Sequence, residues 1–359
     1  MIEGVPIRYE DRTDREKWAH PMVEWWTVEE VLPSLADTLG NVFISNEEKE
    51  RLRKATEDMA VEMGRSVPVP EGAAEYGTNV DYTVEVPEEI EAGAAPIRVL
   101  VRTPNGPRPE AGFPVVFSIP GGGLQFCPPE LFMIEIMTFC QALDAVVVCP
   151  QYRTLPWAVA PAPVNDLQAA YIWVVENAES LGIDVNKIIL QGGSSGGHLA
   201  AALTHRLKRC GYPKGIRPRA QVLEFPVLED REFEGSKRIL TRGNGWSVRE
   251  EHSIWSAWLG EDFNKAGVPA EVVPGHAVGD DFKDLPPAFI HCAESDGDRD
   301  AAIRYAQGLL AAGVFCDFHV WAGMNHTTFF SGKGEPVVRF DNLLLRQMQD
   351  AIDFDLWRD

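Results

Sequence analysis

The stretch Lys187-Ile188-Ile189-Leu190-Gln191-Gly192-Gly193-Ser194-Ser195-Gly196-Gly197-His198-Leu199-Ala200-Ala201-Ala202 begins as a β-branched apolar run, crosses a cluster of glycine and serine, and leaves with helical apolar spacing. It reads as strand, sharp turn, helix. Within the turn, Gly193-Ser194-Ser195-Gly196-Gly197 matches G-x-S-x-G, a pattern that lifts the central serine, here Ser195, above the edge of a sheet on a strained turn. Glycines flank such a serine because strand and helix approach too closely for a Cβ. The helix that follows aims its free N–H groups and positive dipole end at the serine. A phosphate-binding turn is the competing reading, but the chain has no G-K-[ST] and no G-x-G-x-x-G after an early strand.

On both sides of this stretch, β-like and α-like segments alternate. Strands are expected at Tyr82–Val86, Ile97–Arg102, Pro114–Ile119, Ala145–Cys149, Ala220–Phe225, Pro287–Cys292 and Cys316–Trp321. Helices are expected at Leu131–Leu143, Val164–Leu181 and Asp300–Ala312. Near-continuous apolar strands separated by helices predict an α/β fold, with a mostly parallel central sheet covered on both faces. Ligands of such sheets lie beyond the carboxyl ends of the strands. Residues 1–75 are charged and rich in helix formers, with amphipathic spacing over Thr27–Leu39 and Asn46–Met63, and are expected to form a helical cap segment before a catalytic domain at 76–359. A break in the alternation at about 228–278, helical near Ser247–Leu259, reads as an insertion that contributes to the cap.

Composition excludes several classes of partner. A net charge of −21 repels phosphate backbones and anionic membrane surfaces, so neither nucleic acid nor membrane is expected. No apolar run is long enough to span a bilayer, and the first residues lack the basic and apolar regions of a signal peptide. The six cysteines show no C-x-x-C spacing and read as reduced core residues. These features together predict a cytoplasmic protein.

Serine is a weak nucleophile and needs a base, and the base needs an orienting acid. Two later strand ends carry candidates. Asp296 lies in the loop Ser295-Asp296-Gly297-Asp298-Arg299-Asp300, and His326 in Ala322-Gly323-Met324-Asn325-His326-Thr327. The order Ser195, Asp296, His326 is that of a Ser…acid…His triad on an α/β sheet, although Glu294, Asp298 and Asp300 compete for the acid's place. Pro120-Gly121-Gly122-Gly123-Leu124 directly follows a strand, where side-chain-free amides can hold a developing oxyanion.

With Gly121-Gly122-Gly123, Tyr152-Arg153, Pro161-Ala162, Asp166, the glycine–serine turn running into His198-Leu199-Ala200, Asp296-x-x-Arg299-Asp300 and Gly323-x-x-His326, the chain from about Val99 onward resembles the hormone-sensitive-lipase-like α/β-hydrolase carboxylesterases. The resemblance implies Ser195 as nucleophile, His326 as base, Asp296 as its partner, an oxyanion hole from the amides of Gly122, Gly123 and Gly196, and a cap of N-terminal helices. It implies ester hydrolysis through an acyl-enzyme, with no cofactor and no metal. The same machinery serves amides, carbamates and lactones, and a small-molecule-binding protein that has lost the chemistry is the rival outside enzymology. Two departures stand out: Pro120 replaces the histidine usual before the glycines, and Ser194 the aspartate usual before the nucleophile. The aromatic residues Trp25, Trp26, Trp246, Trp255 and Trp258, with Phe126 near the glycine loop, suggest an apolar or aromatic ester as the small-molecule partner. A homodimer is left open.

Overall fold

In a computed structural model of the chain, the structure describes residues 71–231, 235–239, 248–328 and 334–357, together with Arg51, Lys54 and Asp58. Eight strands form a single sheet: β1 Gly77–Val84, β2 Ile97–Pro104, β3 Phe113–Ile119, β4 Val146–Gln151, β5 Ile183–Gly193, β6 Ala220–Glu224, β7 Ala288–Ser295 and β8 Cys316–Asn325. Their order is β1-β2-β4-β3-β5-β6-β7-β8; β2 runs antiparallel to both of its neighbours, and all pairs from β4 to β8 are parallel.

The strand sequences explain why both faces are covered. Along β3, Val115, Phe117 and Ile119 enter one apolar core and Val116 the other, and Val146 and Val148 of β4 separate in the same way from Val147 and Cys149. Period-2 alternation between two hydrophobic faces is what a strand sandwiched between helix layers requires. Helix α1 (Met133–Ala142) supplies Ile136, Phe139 and Cys140 to one layer, joined by the C-terminal helix α6 (Glu335–Asp353) through Phe340, Leu344 and Met348. The opposite layer is built by α2 (Ala162–Glu176), α3 (Ser195–Cys210) and α5 (Arg299–Ala311).

Every strand expected from the sequence is present within a few residues of its predicted bounds, as are the helices near Leu131, Val164 and Asp300. Helix α6 was not anticipated, although Val337, Phe340, Leu344, Met348 and Ala351 place an apolar stripe along it. The interruption between β6 and β7 contains α4 (Val248–Leu259), close to the helical spacing read at Ser247–Leu259. Its Trp255 and Trp258 rings meet the His198 ring of α3 edge-on at 5.1 and 4.8 Å, so the insertion packs against the helix that leaves the serine turn. Arg51, Lys54 and Asp58 are helical and exposed, within the expected Asn46–Met63 helix. The helix expected at Thr27–Leu39, along with Trp25, Trp26 and Trp246, lies outside the described residues. None of the six cysteines is in a disulfide. Among the described residues no helix is long and apolar enough to cross a membrane.

Candidate active site

At the carboxyl end of β5 the chain turns sharply into α3, and the turn residue is Ser194, with φ 58° and ψ −123°. A non-glycine residue with positive φ in this region costs energy and persists only where the surroundings impose it. The surroundings here are two glycines, Gly192 and Gly196. A Cβ on Gly192 would lie 2.4 Å from the Gly196 carbonyl, and one on Gly196 would lie 2.1 Å from the Ile119 carbonyl oxygen. The motif is therefore Gly192-Gly193-Ser194-Ser195-Gly196, one residue earlier than the sequence suggested.

This shift changes which serine meets the expected base: Ser194, where the sequence pointed to Ser195. Ser194 Oγ stands 2.8 Å from His326 Nε2, and His326 Nδ1 stands 2.8 Å from Asp296 Oδ2. Ser195 opens α3, and its Oγ accepts a hydrogen bond from the backbone N–H of Leu124 at 3.3 Å, behind the glycine loop. Hence Ser195 braces the loop, and the residue after the turn serine is Ser195, not Gly196. The close contact of Gly196 with Ile119 and Pro120 gives that glycine a packing role.

Asp296 and His326 are placed as expected, just past β7 and β8. Ser194, Asp296 and His326 are 6 %, 2 % and 3 % exposed, so their contacts form with little competition from water. A carboxylate can only accept, so His326 carries its proton on Nδ1 and offers Nε2 as the acceptor for the Ser194 hydroxyl. The backbone N–H of Asp298 donates to Asp296 Oδ1 at 3.0 Å, fixing the carboxylate from its other side. Asn325 shapes the turn that presents His326: its side-chain oxygen accepts from the Thr327 N–H and from the Thr328 hydroxyl, at 3.1 and 2.8 Å.

The glycine loop approaches the same point. Gly122 and Gly123 have φ of +100° and +61°, and a Cβ on Gly122 would fall 1.9 Å from the Phe126 carbonyl oxygen. Only glycine fits this approach. The Tyr152 hydroxyl donates to the Pro120 carbonyl at 2.8 Å, and the Leu155 N–H donates to the Leu124 carbonyl at 2.8 Å. Tyr152 is held in turn by its neighbour Arg153, whose guanidinium bridges Asp166 and Glu91 at 2.7 Å each. The loop is thus anchored even though Pro120 stands where a histidine was expected.

A small pocket opens beside the loop, lined by Gly123, Leu124, Ser195, His198, Val227, Glu251, Ile254 and Trp255, with a volume of about 10 Å³. Of the aromatic residues singled out in the sequence, Trp255 lines this pocket, and Trp258 is buried against His198. Phe126 is 7 % exposed and folds back over Gly122. Burial lowers the pKa of His198 to about 3, so that imidazole is neutral.

A family model described as "alpha/beta hydrolase fold" matches residues 116–330. Esterase LipI of Mycobacterium tuberculosis is 31 % identical over 233 residues, which span 64 % of this chain and 70 % of that protein. Carboxylesterase NlhH of the same species is 31 % identical over 207 residues, spanning 56 % of this chain and 62 % of the relative. Among solved structures, a bacterial heroin esterase superposes with a TM-score of 0.75 at 25 % identity, covering 84 % of this chain and 92 % of that one. The match over residues 116–330, joined to the sheet and the serine turn described above, shows that the chain belongs to the hormone-sensitive-lipase-like carboxylesterases of the α/β-hydrolase fold.

Proposed function

We propose that the protein hydrolyses carboxylic esters through an acyl-enzyme intermediate, with Ser194 as nucleophile, His326 as general base and then general acid, and Asp296 as the group that orients the imidazole. The observation that carries this reading is the unbroken contact from Ser194 Oγ through His326 to Asp296, at 2.8 Å in both steps, with Ser194 held in a strained backbone conformation. As Ser194 Oγ attacks the ester carbonyl, its proton passes to His326 Nε2, and Asp296 stabilises the resulting imidazolium. The amides of Gly122, Gly123 and Ser195 serve as the oxyanion hole, the last taking the place expected of Gly196. The proton on Nε2 then goes to the departing alkoxide. Water, activated by the same imidazole, attacks the acyl carbon and releases the acid and free Ser194.

The pocket beside Gly123 supports a short acyl group, since its volume of about 10 Å³ holds roughly one water-sized body. Esters with small acyl chains and a larger apolar or aromatic alcohol therefore suit the site best. The test is hydrolysis of p-nitrophenyl acetate, combined with fluorophosphonate labelling and peptide mapping. Ser194→Ala is expected to lose turnover by about a thousandfold or more and to lose the label. Labelling at Ser195, or turnover that survives in Ser194→Ala, would overturn the assignment. The same pair of proteins run on matched esters, amides and lactones reads the leaving-group preference directly.

A further inference from the structure

Behind the triad acid, two buried carboxyl groups converge on one ammonium group. Asp298 lies two residues past Asp296, Glu251 is on α4, and Lys237 is in the short helix Ser236–Ile239. They are 1 %, 2 % and 7 % exposed. Lys237 Nζ pairs with Glu251 Oε1, donates to the Glu229 carbonyl, and lies 3.7 Å from Asp298 Oδ1. Trp255 Nε1 donates to the same Glu251 Oε1 at 3.0 Å. One oxygen of Glu251 is thus served twice, whereas Glu251 Oε2 and both Asp298 oxygens are buried with no donor.

Two carboxylates against one cation would leave a net negative charge out of reach of water, which burial strongly disfavours. One proton removes the imbalance. Placed on Asp298, it lets that carboxyl donate toward Glu251, the other carboxyl group gathered at the Lys237 ammonium. The neighbouring charges leave the imbalance standing. Asp296 adds a further negative charge, His326 comes within 4.8 Å of the Asp298 carboxylate but directs its Nδ1 to Asp296, Glu229 is taken by Arg231 and His276, and Arg299 pairs with Asp300.

We propose that Asp298 is a positioning residue for the triad: its protonated carboxyl group ties the loop that carries Asp296 to Glu251 of α4, and loss of that proton loosens the triad acid. The backbone supports the link, because the Asp298 N–H is the group that holds Asp296 Oδ1. The Ser236 hydroxyl, one residue from Lys237, donates to the Gly297 carbonyl at 2.6 Å inside the same loop. Burial, then the Glu251 charge, holds the Asp298 carboxyl well above the usual carboxylate range. A raised pKa of this kind favours the assembled state at low pH, and the benefit falls away as pH rises through the folded-state value.

This inference rests on the proposed ester hydrolysis, and the experiment separates the two. The pH profile of kcat/KM for p-nitrophenyl acetate, between about pH 6 and pH 10, is measured on the full chain as wild type, Asp298→Asn and Glu251→Gln. Either substitution leaves one ionisable carboxyl group beside Lys237, and the side-chain amide that Asp298→Asn introduces keeps a donor toward Glu251. The wild type is expected to show an alkaline descending limb. In both variants the ratio of kcat/KM at about pH 9.5 to that at about pH 7 should rise at least ~5-fold over wild type. Profiles of the same shape would overturn the proposal. An infrared difference spectrum of wild type against Asp298→Asn at neutral pH provides a readout independent of turnover. A protonated-carboxyl band lost in the variant supports the shared proton, and its absence from the wild type refutes it even if no ester is cleaved. Glu251→Gln approaches the pair from α4 and serves if Asp298→Asn does not fold.

Discussion

At the scale of single residues, the site turns on which of two adjacent serines occupies the strained position. Gly192-Gly193-Ser194-Ser195-Gly196-Gly197 satisfies G-x-S-x-G in two registers offset by one residue, so the pattern alone permits either serine. Steric contact decides, because Gly192 lies against Gly196 and Gly196 against Ile119, leaving Ser194 between them. Ser195→Ala removes a hydroxyl that meets the Leu124 N–H and the Tyr152 hydroxyl, and should lower kcat/KM by less than about tenfold, the scale of a modest hydrogen-bond loss. Asp296→Asn, by contrast, allows the wrong imidazole tautomer and should cost on the order of 10⁴ in kcat, read by steady-state ester hydrolysis. Gly196→Ala drives a Cβ into the Ile119 carbonyl and should reduce stability by about 3 kcal/mol or more, visible as a lower urea midpoint.

At the scale of elements, the serine turn, the glycine loop and the two loops that bring Asp296 and His326 all follow strands β3, β5, β7 and β8, whose apolar sequences make them legible. Their meeting at one edge follows from parallel pairing, since neighbouring strands that run the same way end on the same side. Helix α4 was recognisable by its spacing, and its insertion and Trp255 were expected near the site, but the packing that brings Ile254 and Trp255 beside Gly123 was not legible. Ile254 and Trp255 close the pocket beside Gly123 only because the insertion folds back over α3. Ile254→Ala should open that pocket and shift preference from acetyl toward butyryl or hexanoyl esters by roughly tenfold in relative kcat/KM, in line with the worth of a few methylenes in an apolar site. Substrate competition with matched p-nitrophenyl esters checks it, and an unchanged chain-length profile would place the acyl group elsewhere.

At the scale of the whole molecule, acids packed between the sheet and α1 tie stability to pH. Gln191 Nε2 donates to both Glu224 and Glu135 at 2.7 Å, and burial raises both carboxyl groups above their ordinary range. Groups with raised folded-state pKa values bind protons more tightly in the native state. Their stabilisation is present below the unfolded value near 4.5 and is lost as pH rises through the folded value, by up to about 1.4 kcal/mol per pH unit for each group. Glu224→Gln should therefore flatten the decline in urea midpoint above about pH 6.5, where His198, His205 and His291, whose pKa values burial lowers, no longer contribute an opposing slope; parallel slopes in wild type and variant would refute it. The order of residues was enough to establish the layered α/β architecture and to locate the glycine loop, Asp296 and His326 at strand ends, because strand and helix periodicities are local and each loop follows its strand directly. Three-dimensional packing settled which serine faces His326, what lines the pocket and which buried carboxyl groups gather around Lys237. Those outcomes depend on contacts at ångström range between segments far apart in the chain, and local pattern carries no information about such distances.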